Sequence, residues 1–304
     1  EHRLFELAAT GEYDGGFRSF KDTLLDAIKM AEVAHKREGR LSGVPTGLRD
    51  LDKLLGGLHR SDLVILAGRP SMGKTALALN IAEHIAATNK QPVAVFSLEM
   101  SKQQLAQRLL CSRSGVDSHK LRRNQLRSDD FATLSLCVGE LSEAPLFIDD
   151  TPGLPLLILR AKARRMAARH DIKAIFVDYL QLMSCSGSDS RQAEVAALSR
   201  GIKALARELN VPVVCVSQLN RSPEAREGHR PRMSDLRESG SIEQDADVVL
   251  MVHREEYYHS EAEWRDQNPD KVGVAELIIT KQRNGPTGTV KLQFNGQTTR
   301  FNRL

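Results

Sequence analysis

The chain has 304 residues, 41% of them hydrophobic, which is enough for one large core or two modest ones. Its net charge of +4 permits a polyanionic partner without arguing for one, and aromatics, at 5%, disfavour nucleic-acid binding mainly by base stacking. No apolar run is long enough for a transmembrane helix, so no membrane partner is expected.

The opening, EHRLFELAATGEYDGGFRSF, lacks the parts of a signal peptide and an initiator Met, so the chain is expected to be a fragment or a trimmed product. Residues 19–38 place Phe20, Leu24, Ala27, Ile28, Ala31 and Ala34 on one helical face, with Ser19 and Asp22 resembling a capping box. Glycine-rich stretches flank this helix, so it stands apart. It either packs on its own domain or serves as a linker docking on a neighbouring subunit.

From Thr46 apolar strands alternate with helices. Strands are predicted at 63–68, 92–99, 144–150, 172–183, 211–218, 246–254 and 275–283, with helices including 75–88, 102–113, 156–170 and 193–209. Continuous apolar strands with helical crossovers predict a mostly parallel twisted sheet covered by helices on both faces. Beyond Val248 the crossovers vanish, which predicts an antiparallel carboxyl-terminal hairpin edge, turning at Asn284–Gly288 and returning over Thr289–Phe294. Segments 184–194 and 220–245 read as loops, the second long enough to be functional or mobile, and 259–273 as a surface insertion. Cys111, Cys137, Cys185 and Cys215 are far apart with no CxxC pair, so neither a zinc knuckle nor a disulfide scaffold is expected, and the compartment is expected to be reducing and cytoplasmic. Cys215, inside VPVVCVS, is expected to be a buried core thiol.

The sharpest local signal is GRPSMGKT, Gly68–Arg69–Pro70–Ser71–Met72–Gly73–Lys74–Thr75. It follows an apolar strand and opens a helix, as a phosphate loop must. Gly68 and Gly73 allow backbone amides to turn inward, the helix start adds its positive end, Lys74 can reach the terminal phosphates, and the Thr75 hydroxyl can ligate Mg²⁺. A metal-side carboxylate should emerge from a neighbouring apolar strand. Asp178 ends AIFVD, while Asp149 and Asp150 end PLFI and compete for the role. Asp178 is preferred because a DD pair before TPG also suits Asx capping. Glu99 ends another strand and could orient the attacking water or merely start the next helix. Gln218 ends VPVVCVS and could sense the terminal phosphate or be an ordinary loop residue. Lys281 and Arg283 lie two apart on one face before the hairpin turn. Taken alone they read best as solvated cations protecting an edge strand.

Together, GRPSMGKT, FSLEM, VDYLQLM, VSQLNR, SDLRESGSIEQDADVV and KQRNGPTG resemble, in order, the bacterial replicative helicases of the DnaB type, ring-forming members of the RecA-like ATPases, over about residues 17 to 304. The resemblance implies a RecA-like α/β fold and a homo-hexamer that hydrolyses ATP or another NTP with Mg²⁺, translocating on single-stranded DNA and unwinding the fork. It implies a phosphate loop at Gly68–Thr75, a catalytic glutamate at Glu99, a metal-side aspartate at Asp178, a phosphate-sensing glutamine at Gln218 and a trans-acting pair at Lys281 and Arg283. Strand phosphates would be held by Arg237, Glu238 and Gly240. Of these only Arg237 is cationic, and no aromatic lies between Gly228 and Asp247, which suits backbone tracking that ignores base identity. A primase, a helicase loader and a cytoplasmic replisome are implied as well. The chain then divides into a linker segment, 1–45, with a subunit-docking helix over about 17–37, and an ATPase domain, 46–304. The family's amino-terminal primase-contacting domain is expected to be absent from it. The alternatives are a RecA-type recombination ATPase and a nucleotide-timed ring scaffold that moves no DNA.

Overall fold

The computed structural model describes residues 19–25, 28, 41–183, 190–236, 240–259 and 261–304. It divides into two compact units, Glu1–Ser42 and Gly43–Leu304. In the first, residues 20–25 are helical, and the Ser19 hydroxyl accepts the Asp22 amide at 3.1 Å and donates to the Asp22 carboxylate at 2.6 Å. Most of the helix expected over 17–37 lies outside the described residues.

The second unit is a nine-stranded sheet between helices. Its elements in order are α1 (Arg49–Leu55), β1 (Leu63–Gly68), α2 (Lys74–Glu83, continued by a π-helical turn, His84–Thr88), β2 (Val93–Ser97), α3 (Lys102–Ser114), α4 (Ser118–Arg122), α5 (Ser128–Ser142) and β3 (Leu146–Asp149). There follow α6 (Leu156–His170), β4 (Ala174–Asp178), α7 (Arg191–Leu209), β5 (Val213–Gln218), α8 (Gly240–Asp245), β6 (Val248–His253), α9 (Ala262–Gln267), β7 (Val274–Gln282), β8 (Gly288–Asn295) and β9 (Arg300–Arg303). The spatial order is β3-β2-β4-β5-β1-β6-β7-β8-β9; pairs from β3 to β6 are parallel, and those from β6 to β9 antiparallel.

Alternation along the strands divides the core. Val64 and Leu66 face a cluster with Leu77, Leu105 and Leu109 from α2 and α3, while Leu63, Ile65 and Ala67 face one with Leu159 and Leu198 from α6 and α7. With both faces covered, β1, β4 and β6 are buried along their whole length, and β5 up to its last residue, Gln218. Cys215 lies fully inside the second cluster. Three boundaries differ from the sequence expectation. Strand β2 stops at Ser97, so Glu99 lies on the bend beyond it; β4 stops at Asp178, and a 3₁₀ turn (Leu180–Leu182) replaces its expected continuation; the unexpected β9 completes the edge. The 220–236 stretch is built from three short 3₁₀ turns, locked by a two-bond pair between Arg226 and the buried Asp235 at 2.7 and 2.5 Å.

Burial lowers the pKa of His253, on β6, and of His84, in the π-helical turn, below the usual imidazole value. The unfolded chain therefore takes up these protons first as pH falls through about 6.5, and stability drops below that point by at most about 1.4 kcal/mol per pH unit for each group. Burial raises Asp52 and Asp62, which act with the opposite sign at lower pH. Urea unfolding should show stability decreasing from pH 7 to 5.5, with a shallower slope in His253→Asn. An unchanged slope in that variant would remove His253 from the account.

Candidate nucleotide site

Two chain crossings build the site. Strand β1 ends at Gly68, and the chain turns through Ser71, with φ 64°, and Gly73, with φ 95°, before α2 begins. A Cβ on Gly73 would approach Phe301 to 2.8 Å, so glycine is required by both the left-handed backbone and the lack of room. The turn opens onto a cavity of about 960 Å³. Pro70, Ser71, Gly73, Lys74 and Thr75 line it, as do Glu99, on the bend after β2, and Asp178 and Gln218, which end β4 and β5. Neighbouring parallel strands bring these residues together, Gly68 lying level with Gln218 and Ser97 with Asp178.

Three residues of the motif have other duties. Gly68 lies at the strand end behind the loop, where a Cβ would meet Val252 O at 3.0 Å. Met72 buries its side chain in the core, leaving only backbone to a ligand. Arg69 turns away, donating to the Glu224 carboxylate at 2.8 and 2.5 Å and to the Leu219 carbonyl at 2.9 Å.

The electrostatics are those of a desolvated, mixed-charge pocket. Burial brings the Lys74 pKa down to about 8 against the pull of Asp178 and Glu99, and its ammonium donates to the Arg69 carbonyl at 2.9 Å. Asp178 is buried and accepts the Thr75 hydroxyl; burial, then the Glu99 charge, raises its pKa above the usual carboxylate value. Glu99 is exposed on its bend, which is held by Leu98 N donating to the Asp178 carbonyl at 2.7 Å and Ser97 Oγ donating to the Met100 carbonyl, also at 2.7 Å. The helix-start alternative for Glu99 is not realised, because Ser101 and Gln104 form the capping box of α3. Asp149 and Asp150 do not line the cavity: Asp149 holds Lys162 at 2.6 Å, and Asp150 accepts the Lys102 amide at 3.0 Å.

Residues 43–303 match the family described as the DnaB-like helicase C terminal domain. The chain belongs to that family. It is 46% identical over 303 residues to the Replicative DNA helicase DnaB of Geobacillus stearothermophilus and 45% identical over 303 residues to the Replicative DNA helicase DnaC of Bacillus subtilis (strain 168), covering 99% of this chain in each case. The chain spans 65% of the length of each relative. Among solved structures it resembles one described as an ATPase domain, with a TM-score of 0.87 and 36% identity, covering 95% of this chain and all of that one. It also resembles a DnaB-like replicative helicase described with its interactions with primase, with a TM-score of 0.84 and 36% identity, covering 99% of this chain and 70% of that one. The RecA-like architecture expected from sequence is therefore the one found.

In this DnaB-like fold Lys281 and Arg283 lie away from their own cavity. Lys281 pairs with Val249, which is level with Ile65. Arg283 N donates to the carbonyl of Asp247, just before β6. Arg283 is thus at the opposite end of the parallel strands from Gly68, about 17 Å along β1 by strand rise. Half exposed, it meets the Asp247 carboxylate at 3.0 Å and the Gln244 carbonyl at 3.3 Å, while Lys281 donates to the Glu243 carbonyl. Arg237 and Glu238 lie outside the described residues; Gly240 opens α8 and is exposed.

Sequence reasoning missed part of the cavity wall. Gln104, Gln107, Arg108 and Cys111 line it from α3, and Leu121 and Arg122 from α4. Arg108 is partly buried with its Nε unpartnered, and burial, then Arg122, lowers its pKa. The spacing 104, 107, 108, 111 is one helical face, a signal present in the sequence. Phe294 closes another side, with the Arg254 guanidinium 4.0 Å from its ring centroid.

Proposed function

We propose that this chain is the motor portion of a bacterial replicative DNA helicase, hydrolysing ATP with Mg²⁺ to translocate on single-stranded DNA as a homo-hexamer. The supporting observation is the separation of charges: Lys74, Thr75, Asp178, Glu99 and Gln218 share one cavity, while Arg283 lies at the far end of the same sheet and Lys281, level with Ile65, is directed to the Glu243 carbonyl rather than to the cavity. A protomer cannot bring its own cationic pair to its own phosphates, so an adjoining copy supplies it. Residues 1–45 would then be the linker that docks on that neighbour, and 46–304 the ATPase domain. Primase, loader and a cytoplasmic replisome belong to the same proposal and rest on the relatives.

The donor set fits the cofactor. A buried carboxylate hydrogen-bonded to a hydroxyl gives hard oxygen ligands, and Mg²⁺ held near Thr75 and Asp178 would neutralise charge on the β- and γ-phosphate oxygens. Lys74 and the loop amides would hold the phosphates, and Arg108 would add a cation from the α3 side of the cavity. Glu99, exposed to the cavity, would orient water in line with the γ-phosphorus. The Gln218 side chain would register the γ-phosphate, and the neighbour's Arg283 would meet charge building in the transition state.

ATPase assays with and without single-stranded DNA, followed by unwinding of a forked duplex, test this reading. Stimulation by DNA is expected, and turnover indifferent to DNA would favour the scaffold. Stimulation without unwinding would favour the recombination ATPase. Arg237→Ala should weaken strand binding about equally across sequences and reduce the salt slope by about 1. Unchanged affinity at low salt would reject the contact assigned to 237–240.

A further inference from the structure

Strands β4 and β5 stop pairing before they reach the site. Their last ladder partners are Val177 and Cys215, yet Gln218 stands three residues further along β5. Beyond the ladder, one side chain takes over. Gln181, on the 3₁₀ turn after Asp178, accepts the Gln218 amide at 3.3 Å through Oε1, and its Nε2 donates to the Gln218 carbonyl at 3.3 Å and the Ser217 hydroxyl at 2.9 Å. A side-chain amide thus pairs with a peptide in both directions, as a strand would. Neither end of the Gln181 amide can be exchanged, because the peptide offers one donor and one acceptor.

The turn that carries Gln181 is fixed. Leu180 and Met183 are buried on either side, and Arg191, at the start of α7, donates to the Gln181 carbonyl. On its other side the 218–219 backbone is tied to the phosphate loop: Leu219 N donates to the Gly68 carbonyl at 3.3 Å, and Arg69 holds the Leu219 carbonyl. The peptide of Gln218 is therefore clamped between the strand that carries Asp178 and the strand that leads into the phosphate loop. Gln218 itself lines the cavity.

We infer that Gln181 is the positioning residue for Gln218, fixing the peptide from which the phosphate-sensing side chain projects. This rests on the role proposed above for Gln218. Gln181 does not line the cavity and makes no contact with substrate; it acts through the residue it holds. Losing the amide would leave residue 218 held only from the β1 side, with nothing replacing the missing β4 ladder on the other, and a displacement of about 1 Å near the reacting phosphate can cost on the order of a hundredfold in rate.

The test uses the full chain. In Gln181→Met, which keeps length and apolar bulk, kcat for ATP should fall roughly tenfold to a hundredfold while KM stays within about threefold. The preference for a non-hydrolysable ATP analogue over ADP should collapse toward that of Gln218→Ala. The decisive measurement is the double variant. If Gln181 acts through Gln218, Gln181→Met/Gln218→Ala is no slower than Gln218→Ala alone; multiplied losses would overturn the inference. Should the methionine variant fold poorly, Gln181→Glu retains the acceptor for the Gln218 amide and should fall between wild type and Gln218→Ala, and Ser217→Ala should stay near wild type. Wild-type kcat in Gln181→Glu would also overturn it. If wild-type protein does not distinguish the analogue from ADP, the role proposed for Gln218 fails instead, and the two failures are separable.

Discussion

A mixture of Glu99→Gln protein with Arg283→Ala protein is expected to hydrolyse ATP although neither variant does so appreciably alone. Each Arg283→Ala protomer keeps a complete Glu99 side of the pocket, and each Glu99→Gln protomer keeps the cation that completes a neighbour's pocket. In randomly mixed rings about a quarter of the interfaces unite both intact halves, so turnover near a quarter of wild type is expected if pockets fire independently. The single-variant losses should be large, since a guanidinium delivered to the transferring phosphoryl group is worth roughly 10³–10⁵ in rate. Folding should survive the Arg283 change. Its partner Asp247 also accepts the Leu63 amide at 2.8 Å and pairs with Lys203, and a half-exposed bridge contributes little. Fluorescent labels should first establish that subunits exchange between rings. Exchange without recovered turnover, or full-rate turnover by an isolated protomer, would end the trans assignment.

The parts of this site differ in how plainly the sequence announces them. The phosphate loop is local: eight consecutive residues and their flanking strand and helix carry all that the turn needs, so Gly73 and Lys74 are readable without tertiary information. Asp178 and Gln218 are readable as polar residues at the ends of otherwise apolar strands. Strand burial on both faces makes such runs conspicuous, whereas β9, with a single buried Phe301 among four residues, leaves no periodic trace. Glu99 could be named but not placed, because where a strand ends and its bend begins depends on the Ser97 and Asp178 contacts that hold residues 98–100. Arg108 was hidden for another reason. A polar face on α3 is evident from spacing, but only the packing of α3 beside the loop turns that face toward the cavity rather than water. The trans role proposed for Lys281 and Arg283 is least legible of all. Nothing local separates them from edge-strand protection; only the sheet register, which sets Arg283 beside Asp247 at the opposite end from Gly68, favours the role.

Lys74→Met should weaken nucleotide binding severely and at the same time raise the melting temperature of the nucleotide-free protein. Removing one partner of a buried, hydrogen-bonded charge pair costs about 2–5 kcal/mol, so affinity for ATP should fall by about thirtyfold to several thousandfold by calorimetry. The opposite effect on stability follows from the pKa of about 8. With a folded value below the unfolded 10.5, the unfolded chain binds more protons between those two values, and stability rises with pH across that window. At pH 7, below both, the full cost of holding the ammonium out of water is present, on the order of 3 kcal/mol before relaxation. Methionine fills similar volume and carries no charge, so it removes that cost. Binding itself should carry a proton signature, because phosphate oxygens around the ammonium restore its affinity for a proton. Near pH 8 the wild-type protein should take up protons on binding ATP, read as a dependence of the binding enthalpy on the ionisation enthalpy of the buffer. Near-normal ATP affinity in Lys74→Met would sink the site assignment. A variant that binds weakly yet melts no higher would leave the site standing but refute the idea that the resting pocket stores the cost of a buried charge until phosphate arrives to offset it.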